Sequence, residues 1–286
     1  MEDIDDVGKN VFYRCFQQYV ELNTDLNKLK HISPVNDIMM VQTLCTILDA
    51  LLIEHNVALN NLEEEPKKTA YETLFVFACM WAFGGSIGGG QDDEKDQKEF
   101  NSFWRSVTKI KFPEAGYAFD YFCEPSKSSW QQWQSMVIPY THNEDTSFSK
   151  INVGTLHTTR LRYLLDRHVL RCKPVLFIGN SGTGKTAVLK DYLASTKPEK
   201  ISHRTISFNS FTTSFSLQKS IETMVEKKSG KTFGSATNKT LIYFIDDMNM
   251  PFVDVYFTQS PIALLNYIVD YGSIFNREQL EERKYL

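Results

Sequence analysis

The sequence predicts an α/β fold built on a parallel sheet that is incomplete at its C-terminus and preceded by an all-helical subdomain. Three observations predict it. Lys173 to Ala194 reads KPVLFIGNSGTGKTAVLKDYLA, a short apolar run, a glycine-rich turn and a helical stretch in succession. Leu241 to Asp247 reads LIYFIDD, an apolar run that ends on two carboxylates, as strands do at the ligand-binding edge of parallel sheets. Residues 10–110 carry their apolar side chains at helical spacing.

In chain order, Val11 to Leu29 places Phe12, Phe16, Tyr19, Val20, Leu22, Leu26 and Leu29 on one broad stripe. Ser33-Pro34 then punctuates the chain, with Pro34 suited to a first helical turn and Ser33 to its cap, and Val35, Ile38, Val41, Leu44, Leu48, Leu51 and Leu52 give the next buried face. Ala70 to Phe83 is the most apolar run. It is too short to span a bilayer and contains Glu72, so it reads as a core helix ending at Gly84-Gly85. Gly88 to Asp96 reads as a mobile connection, and Glu99 to Lys109 as a helix with Phe100, Phe103, Trp104 and Val107 on one side.

Between Phe112 and Ser149 the texture of Pro, Gly, Ser and aromatics predicts irregular structure with short strands. Trp104, Trp130 and Trp133 read as packing residues rather than base-stacking platforms. A helix at Thr158 to Leu170 leads into a strand at Val175 to Ile178. After the glycine-rich turn come a strand at Arg204 to Phe208 and a helix at Ser214 to Lys228, with Phe215, Leu217, Ile221 and Val225 inward. A solvated basic turn at Lys227 to Lys231, a strand at Leu241 to Ile245 and a helix at Pro261 to Tyr271 complete the pattern.

Composition sets the bounds. With 286 residues and 42% hydrophobic residues the chain can bury a core in two units, and a net charge of −4 weighs against nucleic acid as a partner. The five cysteines, odd in number and without a C-x-x-C pair, read as reduced, mostly buried thiols of a cytosolic protein. The six histidines are scattered and suggest no metal cluster. The acidic start MEDIDDVGKN lacks the order of a secretory signal, and no membrane segment is expected.

The chemistry concentrates in two motifs. Gly179, Asn180, Ser181, Gly182, Thr183, Gly184, Lys185 and Thr186 satisfy G-x-x-x-x-G-K-[ST], the Walker A loop of P-loop nucleotide-binding proteins. Its glycines let backbone N–H groups turn inward toward phosphate oxygens, and the following helix presents its positive end to the same anion. Lys185 is expected to reach the β- and γ-phosphates, and the Thr186 hydroxyl to join the shell of a Mg²⁺. LIYFIDD fits the partner motif, Walker B. Asp246 would hold Mg²⁺ through water, and Asp247 stands where a general base or water-orienting carboxylate is needed. Asn249 could sense the γ-phosphate or simply close its loop. A GTPase is disfavoured because Asn238-Lys239 is followed by Thr240-Leu241, without the acid of the guanine-reading N-K-x-D motif.

GNSGTGKT paired with YFIDDMNMP, and followed by SPIALLNYIVDYGSIFNREQL, resembles the third AAA+ module of a dynein heavy chain of the axonemal type. Upstream, MVQTLCTILDALL, FVFACMWAFGG and EFNSFWRSVTKIKFPEAG resemble the helical end of the second module and the passage into the third. The resemblance implies a helical subdomain at 1–110, an irregular connector at 111–150 and an AAA+ ATP-binding domain at 151–286. It implies Gly179 to Thr186 as the phosphate loop, Asp246 on the Mg²⁺ side and Asp247 as the catalytic carboxylate. The segment Ile151 to Thr158 would line the adenine, with Val153 in contact.

The implied cofactors are ATP and Mg²⁺, and the implied activity is regulation of ATP-driven, minus-end-directed movement on microtubules. Implied partners are neighbouring AAA+ modules of the same heavy chain and, through the full complex, intermediate chains, light chains and microtubules. The implied location is cytoplasm, cytoskeleton and ciliary axoneme. Asp247 departs from the glutamate usual in AAA+ enzymes, so an alternative is a structural module clamped by nucleotide with little hydrolysis. The chain is further expected to stop ahead of a sensor-1 strand, an arginine finger and a sensor-2 helix, as a segment of a motor.

Overall fold

Helix α3 (Glu64–Gly84) organises the N-terminal part of the molecule. It is apolar on nearly all sides and buries thirteen residues, among them Leu74, Phe75, Phe77 and Met80, which is the pattern of a helix enclosed by others. The computed structural model describes residues 4–20, 29–88, 93–124, 129–141 and 153–285. The chain divides into two compact units, Met1–Lys185 and Thr186–Leu286.

In the first unit α1 (Asp6–Cys15) and α2 (Asp37–Asn60) pack on α3. Of the helix expected at Val11 to Leu29, α1 continues into a π turn at Phe16–Val20, and residues 21–28, with Leu22 and Leu26, lie outside the described residues. Ser33 is not the cap of the next helix. Asn36 takes that role, its Oδ1 accepting the Met39 N–H at 2.8 Å from an extended backbone, and a side-chain acceptor with that geometry outranks a proline two residues earlier. Among the described residues α2 alone is long and apolar enough to cross a membrane by length and composition. It contributes Leu44, Ile47, Leu48 and Leu51 to the same cluster as α3.

α4 (Asp93–Val107) adds Phe100 and Trp104, both fully buried. The segment expected to be irregular contains an antiparallel hairpin, β1 (Tyr121–Glu124) with β2 (Ser129–Gln132), in the register Tyr121 to Gln132. The tryptophans pack. Trp133 is buried against Phe77, Phe122 and Tyr163, and Trp130 stacks on Phe112 with ring centroids 4.5 Å apart. α5 (Leu156–Leu170) starts where Thr155 accepts the Thr158 N–H.

The run Val175 to Ile178, expected as a strand, pairs with no described strand. Leu176 is 61% exposed, and Val175 and Ile178 are also exposed. An apolar run supplies only one side of a ladder, and no described strand supplies the other. The cysteines divide similarly: Cys15, Cys79 and Cys123 are buried, while Cys45 and Cys172 are exposed.

The second unit takes up α6, which runs from Lys185 to Ser195. β3 (Ile201–Ser207) then pairs in parallel with β6 (Thr240–Asp246), Ile201 beside Thr240 and Ser207 beside Asp246. α7 (Ser214–Glu222) is shorter than expected. Val225–Ser229 turns into strand β4 and pairs antiparallel with β5 (Thr232–Ser235), so Val225 faces Ser235 across a ladder instead of extending the helix. Phe215 is exposed, whereas Leu217 and Ile221 join Phe208 and Ile274 in the core of this unit. α8 (Ser260–Tyr271) ends on Gly272 in the left-handed region, followed by β7 (Ser273–Phe275) and β8 (Glu282–Tyr285), which completes the sheet order β4-β5-β8-β7.

Candidate phosphate loop and acid-tipped strand

The glycine-rich turn has the backbone that its sequence requires. Gly182 and Gly184 adopt φ of +79° and +84°, values that a side chain would penalise by about 1–2 kcal/mol, and they allow the loop to reverse direction within a few residues. Gly179 does not use this freedom, since its φ lies outside the left-handed region, and a Cβ there would meet Thr183 Oγ1 at an ordinary 3.5 Å. Lys185 folds back over the turn. Its Nζ donates to Gly179 O at 2.8 Å and Asn180 O at 2.6 Å, and lies 3.4 Å from Thr183 Oγ1, which in turn donates to Asn180 O at 2.9 Å. Its ammonium is thus held at the loop's mouth by carbonyls that a phosphate oxygen can outcompete, because charge-assisted bonds to an anion are roughly twice as strong as bonds to a neutral acceptor. Ser181 is exposed in the turn.

The chain passes without interruption into Thr186 and the first turn of α6. Within the second unit, Thr186 Oγ1 donates to Asp246 Oδ1 at 3.0 Å. Asp246 is the last residue of β6, level with Ser207 at the C-terminal end of β3, the end at which parallel strands present ligand-binding groups. The same Oδ1 accepts the Asp247 N–H at 3.2 Å. Asp247 is exposed, and its φ of +55° lies in the left-handed region, which Asp tolerates better than most residues. Its carbonyl accepts the Met250 N–H at 3.0 Å. A hydroxyl and a carboxylate in contact form an all-oxygen donor set, as a hard cation such as Mg²⁺ prefers.

The other expected residues stand apart from this pair. Asn249 is exposed, and its carbonyl accepts from Gln259 Nε2 at 3.2 Å, so its backbone closes a loop. Val153 is exposed ahead of the α5 cap, and Ile151 and Asn152 lie outside the described residues. A cavity of about 580 Å³ lined by Glu72, Lys109, Lys111, Phe112 and Trp130 holds none of the motif residues. Sequence reasoning missed two features near the motifs. One is the left-handed backbone of Asp247, which the composition of a turn hints at but does not fix. The other is the attachment of α5, the helix leading toward the phosphate loop. There Arg167 is buried, its guanidinium 3.3 Å from the centre of the Tyr163 ring and paired with Glu54 of α2, while Arg171 pairs with Asp49 at 2.6 Å.

Comparison with known proteins agrees with these motifs. Residues 140–286 match the family described as the P-loop containing dynein motor region, and residues 10–135 match the dynein heavy chain AAA lid domain. The chain is 37% identical over 269 residues to dynein axonemal heavy chain 11 of Sus scrofa and 38% identical over 271 residues to dynein axonemal heavy chain 17 of Mus musculus, covering 93% of this chain in each case. It is 36% identical over 256 residues, 87% of this chain, to the dynein alpha chain of the flagellar outer arm of Chlamydomonas reinhardtii. The chain spans only 6%, 6% and 5% of those relatives' lengths, respectively. With a phosphate loop, an acid-tipped parallel strand and a helical N-terminal part all in place, the chain belongs to the AAA+ P-loop motor region of the dynein heavy chains.

Proposed function

We propose that this chain is an ATP-binding AAA+ segment that regulates the ATP-driven, minus-end-directed movement of an axonemal dynein heavy chain along microtubules. The reading assigns 1–110 to a helical subdomain closing the preceding module, 111–150 to a connector and 151–286 to the ATP-binding domain. The observation that carries it is the 3.0 Å hydrogen bond from Thr186 to Asp246. The residue that follows the phosphate-loop lysine and the carboxylate that ends β6, sixty positions later, share one polar contact.

In this reading the amides of Gly179 to Thr186 and the positive end of α6 hold the triphosphate. Lys185 exchanges its loop carbonyls for phosphate oxygens. Thr186 and Asp246 would hold a Mg²⁺, which would supply positive charge beside the phosphates. Asp247 orients water at its exposed carboxylate, and Val153 lies toward the base. The likeness to heavy chains named axonemal, ciliary and flagellar supports work in a cilium among neighbouring AAA+ units, with the accessory chains and microtubules of the full complex as partners.

Thermal stability with and without Mg·ATP tests the binding. A ligand at about 100 times its Kd adds about 2.7 kcal/mol, and Lys185→Ala should remove that increment while leaving the unliganded midpoint in place. A wild-type midpoint indifferent to ATP would end the reading. The short side chain and left-handed backbone of Asp247 favour a second reading, in which ATP clamps the module and is scarcely hydrolysed. Single-turnover hydrolysis at this site in the full heavy chain separates the two. Activity that appears or rises with Asp247→Glu supports a hydrolytic site, and activity undetectable in both forms supports the clamp.

A further inference from the structure

Gln259 stands immediately before α8, at a place where Ser, Thr, Asp or Asn commonly accepts an N–H of the first helical turn. Its side chain makes no such bond. It reaches back instead: Nε2 donates to Pro251 O at 2.7 Å and to Asn249 O at 3.2 Å, eight and ten residues earlier. Both partners are carbonyls, so the amide must present its nitrogen, and both of its N–H groups are spent on this one stretch. The two carbonyls flank Met250, whose own N–H donates to Asp247 O at 3.0 Å. Pro251, in the same stretch, is buried.

This clamp closes on the backbone of Asp247. There φ is +55°, and the Asp247 N–H donates to Asp246 Oδ1 at 3.2 Å. The residue is thus fixed on one side by Asp246 and on the other by Met250, while among the described residues no hydrogen bond or ion pair holds its carboxylate. Only χ1 lies between the backbone and the carboxyl carbon of an aspartate, and its staggered positions depend on φ and ψ. The direction of this acid is therefore set by the turn beneath it. A left-handed aspartate whose turn is released relaxes toward the cheaper right-handed or extended regions, and the carboxylate swings with it.

We propose that Gln259 is a positioning residue: by clamping Asn249 O and Pro251 O it keeps Asp247 left-handed, and so aims the Asp247 carboxylate at the water that attacks the nucleotide. The proposal rests on the reading above in which Asp247 orients that water. Gln259 acts through the backbone alone and touches neither nucleotide nor water.

The test compares Gln259→Glu and Gln259→Ala with the wild type in the full heavy chain, the phosphate-loop lysine of each neighbouring AAA+ unit being changed to alanine. An ionised glutamate has the shape of glutamine but no donor, so it turns acceptors toward two carbonyls, whereas alanine only lets go. Hydrogen exchange in the peptide holding Met250 should speed up in both variants, while exchange over β6 stays as in the wild type. Affinity for a fluorescent ATP analogue should stay within about twofold of wild type while single-turnover hydrolysis slows roughly 10–100-fold, the split expected when a change misplaces a group used only in the transition state.

Unchanged exchange at Met250 overturns the proposal, and so does exchange that rises equally over β6 in both variants, which marks general loosening. Faster exchange at Met250 with no loss of rate leaves Gln259 a loop brace only. Affinity that falls in step with the rate, or a wild-type site without measurable turnover, overturns the proposal as well. Failure of the underlying reading shows separately, as wild-type protein that does not take up the analogue, and takes this proposal with it.

Discussion

Asp247 holds a left-handed backbone at the end of the strand that carries Asp246. Of the natural residues, glycine enters this region without cost, and Asp and Asn are the usual exceptions among the rest. Asp247→Gly should therefore leave the urea midpoint unchanged or raise it, whereas Asp247→Ala should destabilise the second unit by about 1 kcal/mol. Equal stability of the two variants would mean that the turn relaxes freely and stores no strain. The same geometry favours aspartate over the longer glutamate here, because a short polar side chain can hydrogen-bond locally where the backbone turns left-handed. Lys185 shows how much a motif settles at this scale. Its contacts with Gly179 O and Asn180 O lie within six residues, so they are local consequences of the loop that the G-x-x-x-x-G-K-T pattern specifies.

At the scale of elements, the attachment of α5 to α2 decides how the segment before the phosphate loop is held. Arg167 is buried against Tyr163 and paired with Glu54, which is itself partly exposed. Removing either partner has unequal effects, because Glu54 left alone can return to water and Arg167 left alone cannot. Glu54→Ala should cost roughly 2 kcal/mol, discounted from the 3–5 typical of a fully buried pair because the glutamate is solvated. Arg167→Met, which fills the same space without a charge, should cost less. Urea denaturation of both variants measures this ordering, and the reverse ordering would show that the stacking on Tyr163, not the ion pair, holds the helix. No sequence spacing announces this latch, since its partners lie 113 positions apart. The failed strand at Val175 to Ile178 and the strand β4 inside an expected helix have the same origin: pairing is a property of two segments, and periodicity reports on only one.

At the scale of the molecule, burial holds the imidazoles of His31, His55 and His168 below their ordinary value of 6.5. The Glu54 carboxylate opposes this at His55, and the Arg167 guanidinium adds to it. A histidine kept neutral in the folded chain binds protons more readily once unfolded. Stability is therefore complete above about pH 6.5, falls as pH drops through that value, and stops falling below the folded-state values. All three groups belong to the unit Met1–Lys185, as do all four tryptophans. Urea midpoints followed by tryptophan fluorescence should be lower at pH 5.5 than at pH 7.5, and a midpoint that does not move over this range would show that these rings are solvated.

The sequence by itself determined the two motifs, the helical character of the first hundred residues and the chemistry of the oxygen donors Thr186 and Asp246. These depend on local spacing, and local spacing is written in the residues. Tertiary structure alone decided that Thr186 reaches Asp246 across sixty positions, that Arg167 locks α5 to α2, and that Val175 to Ile178 pairs with no described strand. Each of these is an encounter between segments distant in the chain, or a failure of such an encounter, and a one-dimensional pattern does not encode which distant partner closes the contact.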